Sequence, residues 1–163
     1  MFYTFIAQLK HSIVNLNASP SLTHRFIKTL DAKKKLLRSY TQNIVGFEEQ
    51  VGLPGSSCQD ARNGAKGNGK IKMKDVRNIQ LHGDIHRVRC MTCSAEYPCT
   101  QEHLSYFSKG IPPSCSECLT RSDARAARSA RPIKVGQLRP AIVLYGEPHP
   151  LGDEIGTIQT MDV

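Results

Sequence analysis

Cys90 and Cys93 form one C-x-x-C pair and Cys115 and Cys118 a second, with 21 residues between the pairs. Thiols at this spacing suit one tetrahedral Zn²⁺, because each C-x-x-C turn holds two thiolates about 2.3 Å from a metal and two turns complete the sphere. A four-cysteine site is closed to water and substrate. Such a metal is structural, and any chemistry lies elsewhere in the chain. A redox dithiol comes singly, usually after a strand, so two matched pairs favour metal. Disulfides would call for an oxidising compartment, yet Phe2 to Leu16 is interrupted by Gln8, Lys10 and His11 and does not read as a secretory leader. A nuclear or cytoplasmic protein is therefore expected. Cys58 and Cys99 fall outside the pattern and read as free thiols, and His86 stands near Cys90 but is not needed while a fourth sulfur is at hand.

The elements that must carry these residues are mixed. Phe2, Phe5, Ile6, Leu9, Ile13 and Leu16 recur at helical spacing, and Ser19-Pro20 reads as the start of a second helix bearing Leu22, Phe26, Ile27 and Leu30. Leu36 to Thr41 reads as a strand that breaks at Gln42-Asn43, an α/β pattern in which polar groups at a strand's carboxyl end face a ligand crevice. Residues 52–78 turn to Gly, Ser, Asn, Lys and Arg and read as a flexible basic insertion. Within it Gly64 to Lys70 nearly spells a phosphate-binding loop, but Ile71 stands where Ser or Thr would ligate Mg²⁺. A strand from Ile79 ends at His82. A helix is expected from Thr100 to Lys109, a buried strand from Pro140 to Glu147 and a last helix over 153–160. The basic residues Arg121, Arg125, Arg128, Arg131 and Lys134, with no aromatic between them, read as a solvated loop, with nucleic-acid contact as the alternative.

A formal charge of +8 falls to about +6 once four thiolates and one Zn²⁺ are counted. Apolar content of 39% is enough for a core, and no run approaches the roughly 18 apolar residues of a membrane span, so no membrane partner is expected.

Tyr40-Thr-Gln-Asn-Ile44, Leu81-His-Gly83, the paired cysteines and Leu138-Arg-Pro-Ala-Ile-Val-Leu-Tyr-Gly-Glu147 stand in the order found in sirtuins, the NAD-dependent protein-lysine deacylases. Tyr145-Gly-Glu-Pro-His-Pro150 and the insertion before His82 look most like the fungal nuclear branch that deacetylates histones. The resemblance implies an α/β fold: a partial Rossmann-like parallel-sheet domain over 1–163 with a small zinc-ribbon lobe inserted at 83–137. It implies Zn²⁺ and NAD as cofactors, acetylated lysine in histones as substrate, chromatin as partner and the nucleus as location. It also implies roles. In sirtuins the acetyl-lysine oxygen attacks the nicotinamide ribose, nicotinamide leaves, and a histidine deprotonates the ribose hydroxyl that captures the acetyl carbon. His82 matches that histidine, and an imidazole suits the task because its ordinary pKa leaves it largely neutral near pH 7. Gln42 and Asn43 match the polar pair at the nicotinamide and ribose. Val143, Leu144 and Tyr145 match the wall of the acyl-lysine tunnel, and Gly146 and Glu147 the edge that pairs with substrate backbone.

Two departures stand out. The family's Gly-Ala-Gly-x-Ser loop, which holds the pyrophosphate, and its later Gly-Thr-Ser segment do not occur in these residues, so a catalytic domain truncated at both ends is expected. The family's Asp two residues after the Asn, which contacts the carboxamide, is Val45 here; losing such a bond costs about 1.5–3 kcal/mol. The alternative to an enzyme is a non-catalytic zinc-ribbon module binding protein or nucleic acid.

Overall fold

The computed structural model describes residues 1–15, 18–56 and 76–163. Cys58 and the Gly64–Ile71 run lie outside the described residues. Six helices and five strands follow in the order α1 (Phe2–Asn15), α2 (Leu22–Ala32), β1 (Ser39–Thr41), α3 (Phe47–Gln50), β2 (Asn78–Gln80), β3 (Gly83–Cys90), β4 (Glu96–Pro98), α4 (Gln101–Ser108), α5 (Ser116–Ala126), β5 (Leu138–Ile142) and α6 (Gly152–Asp162), counted among the described residues. They form two compact units, one of 1–16 with 86–141 and one of 17–85 with 142–163.

The first unit is built on a three-stranded sheet in the order β4-β3-β5, with β4 antiparallel to β3. Its core joins Val88, Phe107 and Leu138 to Cys90, Cys115 and Cys118, so three of the paired thiols are themselves core residues. Besides residues 86–141, this unit contains α1. Tyr3 stacks on Phe107 with ring centroids 5.3 Å apart, Ala7 enters the core, and the buried Lys10 Nζ donates to the Cys99 carbonyl at 3.2 Å. Helix α4 starts at the expected Thr100, whose N–H donates to His103 Nδ1 at 3.1 Å while the His103 N–H returns to Thr100 Oγ1. Histidine here takes the part that Glu or Gln plays in a capping box. Gly110, at φ 76°, ends the helix as expected.

In the second unit β1 and β2 pair in parallel, Ser39 opposite Asn78 and Thr41 opposite Gln80. One face of β2 turns Ile79 into a core with Val76, Ile155 and Ile158, so α6 covers the sheet there. The ends of the 52–78 segment are built into this unit. Leu53 and Val76 are fully buried, and the Ser56 N–H donates to the Asn78 carbonyl at 2.9 Å.

Four boundaries differ from expectation, each for a local reason. Strand β2 ends at Gln80 rather than His82, because Leu81 and His82 form the turn that leads into Gly83 at φ 80°. Helix α2 is capped at Ser21 rather than Ser19, because His24 lies three residues on and its Nδ1 accepts the Ser21 N–H at 3.1 Å. Three residues after Ser19 stands Leu22, which offers no acceptor. Strand β1 starts at Ser39 rather than Leu36: Lys34 at φ 55° and the Lys35 N–H bonding back to the Leu30 carbonyl still belong to the end of α2. Strand β5 runs over 138–142 rather than 140–147, because the Glu147 N–H closes a turn on the Leu144 carbonyl with Gly146 at φ 79°.

Residue Asp162 ties α6 to the sheet. Its Oδ2 accepts from Arg38 Nε at 2.7 Å and from the Tyr40 hydroxyl at 2.6 Å, and Arg38 also reaches the Val76 carbonyl. The Arg38 hydrogen bond lowers the Asp162 pKa against the opposing effect of burial, while burial and the Asp162 bond push Tyr40 up to about 12. A depressed carboxylate stabilises the fold above its unfolded pKa, near 3.9, and loses that contribution as pH falls through the lower folded value. Asp162→Asn is expected to cost about 1.5–3 kcal/mol at neutral pH and progressively less under acid. Urea unfolding of both forms at pH 7 and near pH 3 checks this; an equal deficit at both would refute it.

Candidate functional site

The four thiols of the paired motifs converge. Their sulfurs all lie within 4.8 Å of one another, and no other such group of metal-ligating side chains occurs among the described residues. Cys90 Sγ is 3.8 Å from Cys118 Sγ and Cys93 Sγ is 3.7 Å from Cys115 Sγ. A tetrahedron with metal–sulfur bonds of about 2.3 Å has edges of about 3.8 Å, so the donors already stand at ligand spacing and far outside disulfide length. Backbone geometry fits as well: the N–H groups of Thr92 and Cys93 both point at Cys90 Sγ at 3.4 Å. Burial raises the Cys90 thiol, yet these N–H groups and the neighbouring thiols outweigh it and bring it down to about 7, while burial drives Cys93 up to about 12. Such a quartet cannot all ionise without a cation. The residues therefore fit a structural Zn²⁺, held by Cys90, Cys93, Cys115 and Cys118, which when bound neutralises the thiolates and joins the two turns.

Gly136 belongs to this site, and sequence reasoning missed it. A Cβ there would lie 2.5 Å from Cys90 Sγ and 2.6 Å from Thr92 Oγ1, while the Gly136 carbonyl accepts the Cys115 N–H at 2.9 Å. Only glycine lets this segment pass so close to one turn while bonding the other. His86 is not part of the cluster, and its carbonyl accepts the Cys99 N–H. Cys99 forms no disulfide.

The other candidate residues gather in the second unit at the carboxyl ends of β1 and β2. The Leu81 N–H donates to the Thr41 carbonyl at 2.9 Å, the Ile85 N–H to the Ile44 carbonyl at 3.0 Å, and the Val143 N–H to the His82 carbonyl at 3.0 Å. These three bonds bring Gln42-Asn43, His82 and Val143 into one neighbourhood from segments distant in sequence. The His82 side chain is exposed at the turn after β2, before Gly83 at φ 80°, and Gln42 and Asn43 are exposed beyond β1. The Asn43 N–H donates to Thr41 Oγ1, which fixes the bend that ends the strand. Val45 is half-buried. Leu144, Tyr145 and Gly146 are exposed in the turn after β5, where Glu147 Oε2 accepts the Leu144 N–H at 3.2 Å.

A second histidine secures this neighbourhood. His149 Nδ1 accepts the Leu151 N–H at 3.0 Å, so its proton sits on Nε2, which faces the Gln80 carbonyl at 3.3 Å. It thus joins the start of α6 to the strand that presents His82. The only signal for it in the sequence is the Pro-His-Pro run. A cleft of about 750 Å³ between α1 and α4, lined among others by Lys10, His11 and Gln101, contains none of the candidate residues.

Known proteins place these features in a family. The NAD-dependent histone deacetylase HST3 of Candida albicans is 39% identical over 157 residues, covering 92% of this chain and 30% of that protein. The NAD-dependent histone deacetylase HST3 of Saccharomyces cerevisiae is 38% identical over 152 residues, covering 92% of this chain and 33% of that protein. The chain thus spans about a third of the length of these curated relatives. Among solved structures, a mutant Sir2 homologue in complex with 2'-O-acetyl ADP ribose matches with a TM-score of 0.55 at 20% identity, over 95% of this chain and 44% of that one, which shows the shared α/β fold. The Sir2 family model matches residues 1–59 and 69–163, and the chain belongs to the Sir2 family.

Proposed function

We propose that this chain carries the acetyl-transfer region of an NAD-dependent protein-lysine deacetylase that acts on acetylated histones in the nucleus. The observation that supports this most is the convergence of Gln42-Asn43, His82 and Val143, joined through backbone hydrogen bonds at parallel strand ends, in a chain of this family. NAD supplies the ribose that receives the acetyl group. In this reading His82 takes the proton of the ribose hydroxyl, and Gln42 and Asn43 orient the nicotinamide and ribose. Val143 and its neighbours guide the acyl-lysine. The N–H groups of Leu144 and Glu147 are both occupied inside the turn, so a substrate strand pairs there through carbonyls or by displacing the Glu147 carboxylate.

The test is nicotinamide release from NAD by the zinc-loaded full-length protein, with and without an acetyl-lysine histone peptide. Release that requires the acetylated peptide supports the reading; no peptide-dependent release refutes it. The same assay reads Val45. A carboxylate in its place restores an acceptor for the carboxamide, so Val45→Asp is expected to raise kcat/KM for NAD by one to two decades, the equivalent of about 1.5–3 kcal/mol. An unchanged or lower kcat/KM would show that the carboxamide finds its partner elsewhere.

A further inference from the structure

We propose that the basic ridge formed by the end of α5 and the segment returning from it is a docking surface for the phosphate backbone of double-stranded DNA. Between residues 121 and 134 the chain carries five cations, Arg121, Arg125, Arg128, Arg131 and Lys134, against one carboxylate, Asp123. All five cations are exposed. The sequence favours a solvated loop here, but the structure orders the segment. Arg121, Arg125 and Arg128 fall at i, i+4 and i+7 and so share one side of α5 and its last turn. The helix ends with Ser129 at φ 58°, the Ser129 N–H bonded to the Ala126 carbonyl and the Ala130 N–H to the Arg125 carbonyl at 3.0 Å. That closure normally falls to glycine.

The chain then turns back on the helix. Arg125 Nε donates to the Arg131 carbonyl at 2.9 Å, and Ser122 Oγ donates to the Ile133 carbonyl at 3.3 Å, which sets Arg131 over Arg125. At the start of the ridge Arg121 is paired with Glu117 at 2.9 Å, so the positive charge is concentrated from Arg125 to Lys134. A ridge ordered in advance loses less freedom on binding than a flexible loop does.

The partner follows from what flanks the cations. Ala124, Ala126, Ala127, Ser129 and Ala130 leave a low profile that a broad polyanion can approach. No aromatic residue lies within 116–134, so stacking on single-stranded bases is not supported, and the aromatic anchors that enrich protein interfaces are missing. Guanidinium forks suit phosphate oxygens, and phosphate contacts position a protein on a duplex without reading its sequence. This surface is independent of NAD and of His82.

Fluorescence anisotropy with the zinc-loaded full-length protein and a mixed-sequence duplex of about 30 base pairs tests the proposal. Neutralising three to five phosphates makes affinity fall roughly 40- to 500-fold between 50 and 200 mM salt. The Arg128→Gln/Arg131→Gln variant should weaken binding and flatten the slope of log K against log salt by about 2, with zinc content unchanged. Lys33→Gln/Lys35→Gln, an equal loss of charge at another exposed site, should leave the slope nearly intact. The proposal is overturned if duplex binding is absent or insensitive to salt, or if the lysine variant loses as much as the arginine one. It is also overturned if poly-glutamate, rather than the duplex, binds with dependence on Arg128 and Arg131, which would assign the ridge to an acidic protein surface.

Discussion

Stripping zinc from the protein with a chelator, or replacing Cys115 with serine, is expected to unfold the ribbon unit outright. The magnitude follows from where the ligands sit. Cys90, Cys115 and Cys118 are buried members of the same core as Val88, Phe107 and Leu138. Once the metal is gone, that core holds thiols packed at 3.7–3.8 Å with no cation among them. Apparent zinc-binding free energies of small zinc domains run to about 10–16 kcal/mol, which equals or exceeds the whole stability of an ordinary domain. Neither the three short strands nor the stacking of α1 on α4 can replace a term of that size. Zinc content should fall from one ion per chain to near none in Cys115→Ser. Amide exchange in β3, α4 and α5 should lose its protection, and metal returned to the chelated wild type should restore it. Protection that persists after complete removal of the metal would show that the unit folds without it.

The sequence and the structure agree best where chemistry dictates spacing. Two C-x-x-C pairs have few geometrical outcomes, and the four sulfurs stand where the pairs alone place them. Helices α1, α4 and α6 were likewise readable, because apolar periodicity and a Thr cap state them locally. What could not be read depended on distant partners. Nothing near Gly136 in sequence announces Cys90 as its neighbour, and His149 acquires its place only when α6 docks beside Gln80. Strand ends failed for the same reason: β1 starts where Arg77 offers a carbonyl to Ser39, and β5 stops where Val143 turns to the His82 carbonyl. The basic tract is the clearest case. Its composition says loop, while Arg121 and Arg125 lie in α5 and the segment returning from it is tied by two side-chain bonds, Arg125 to Arg131 and Ser122 to Ile133, that composition does not reveal.

Replacing His82 with alanine in the full-length protein is expected to slow acetyl transfer by about two to four decades, the usual contribution of a positioned general base, with little change in KM for the peptide. The fold should tolerate the change. The imidazole is exposed, and the anchoring bond from the Val143 N–H goes to the His82 backbone carbonyl, which alanine keeps. The order of steps gives a sharper readout than rate alone. In the proposed reaction nicotinamide would depart before any ribose hydroxyl has to lose its proton, so exchange of labelled nicotinamide into NAD should survive in His82→Ala while deacetylated product does not form. A residue acting only to hold the turn would depress both together, because Gln42 and Asn43 would move with it. If transfer in His82→Ala matches wild type, the base lies elsewhere. If exchange and transfer fall in proportion, His82 is a positioning residue and not the proton acceptor.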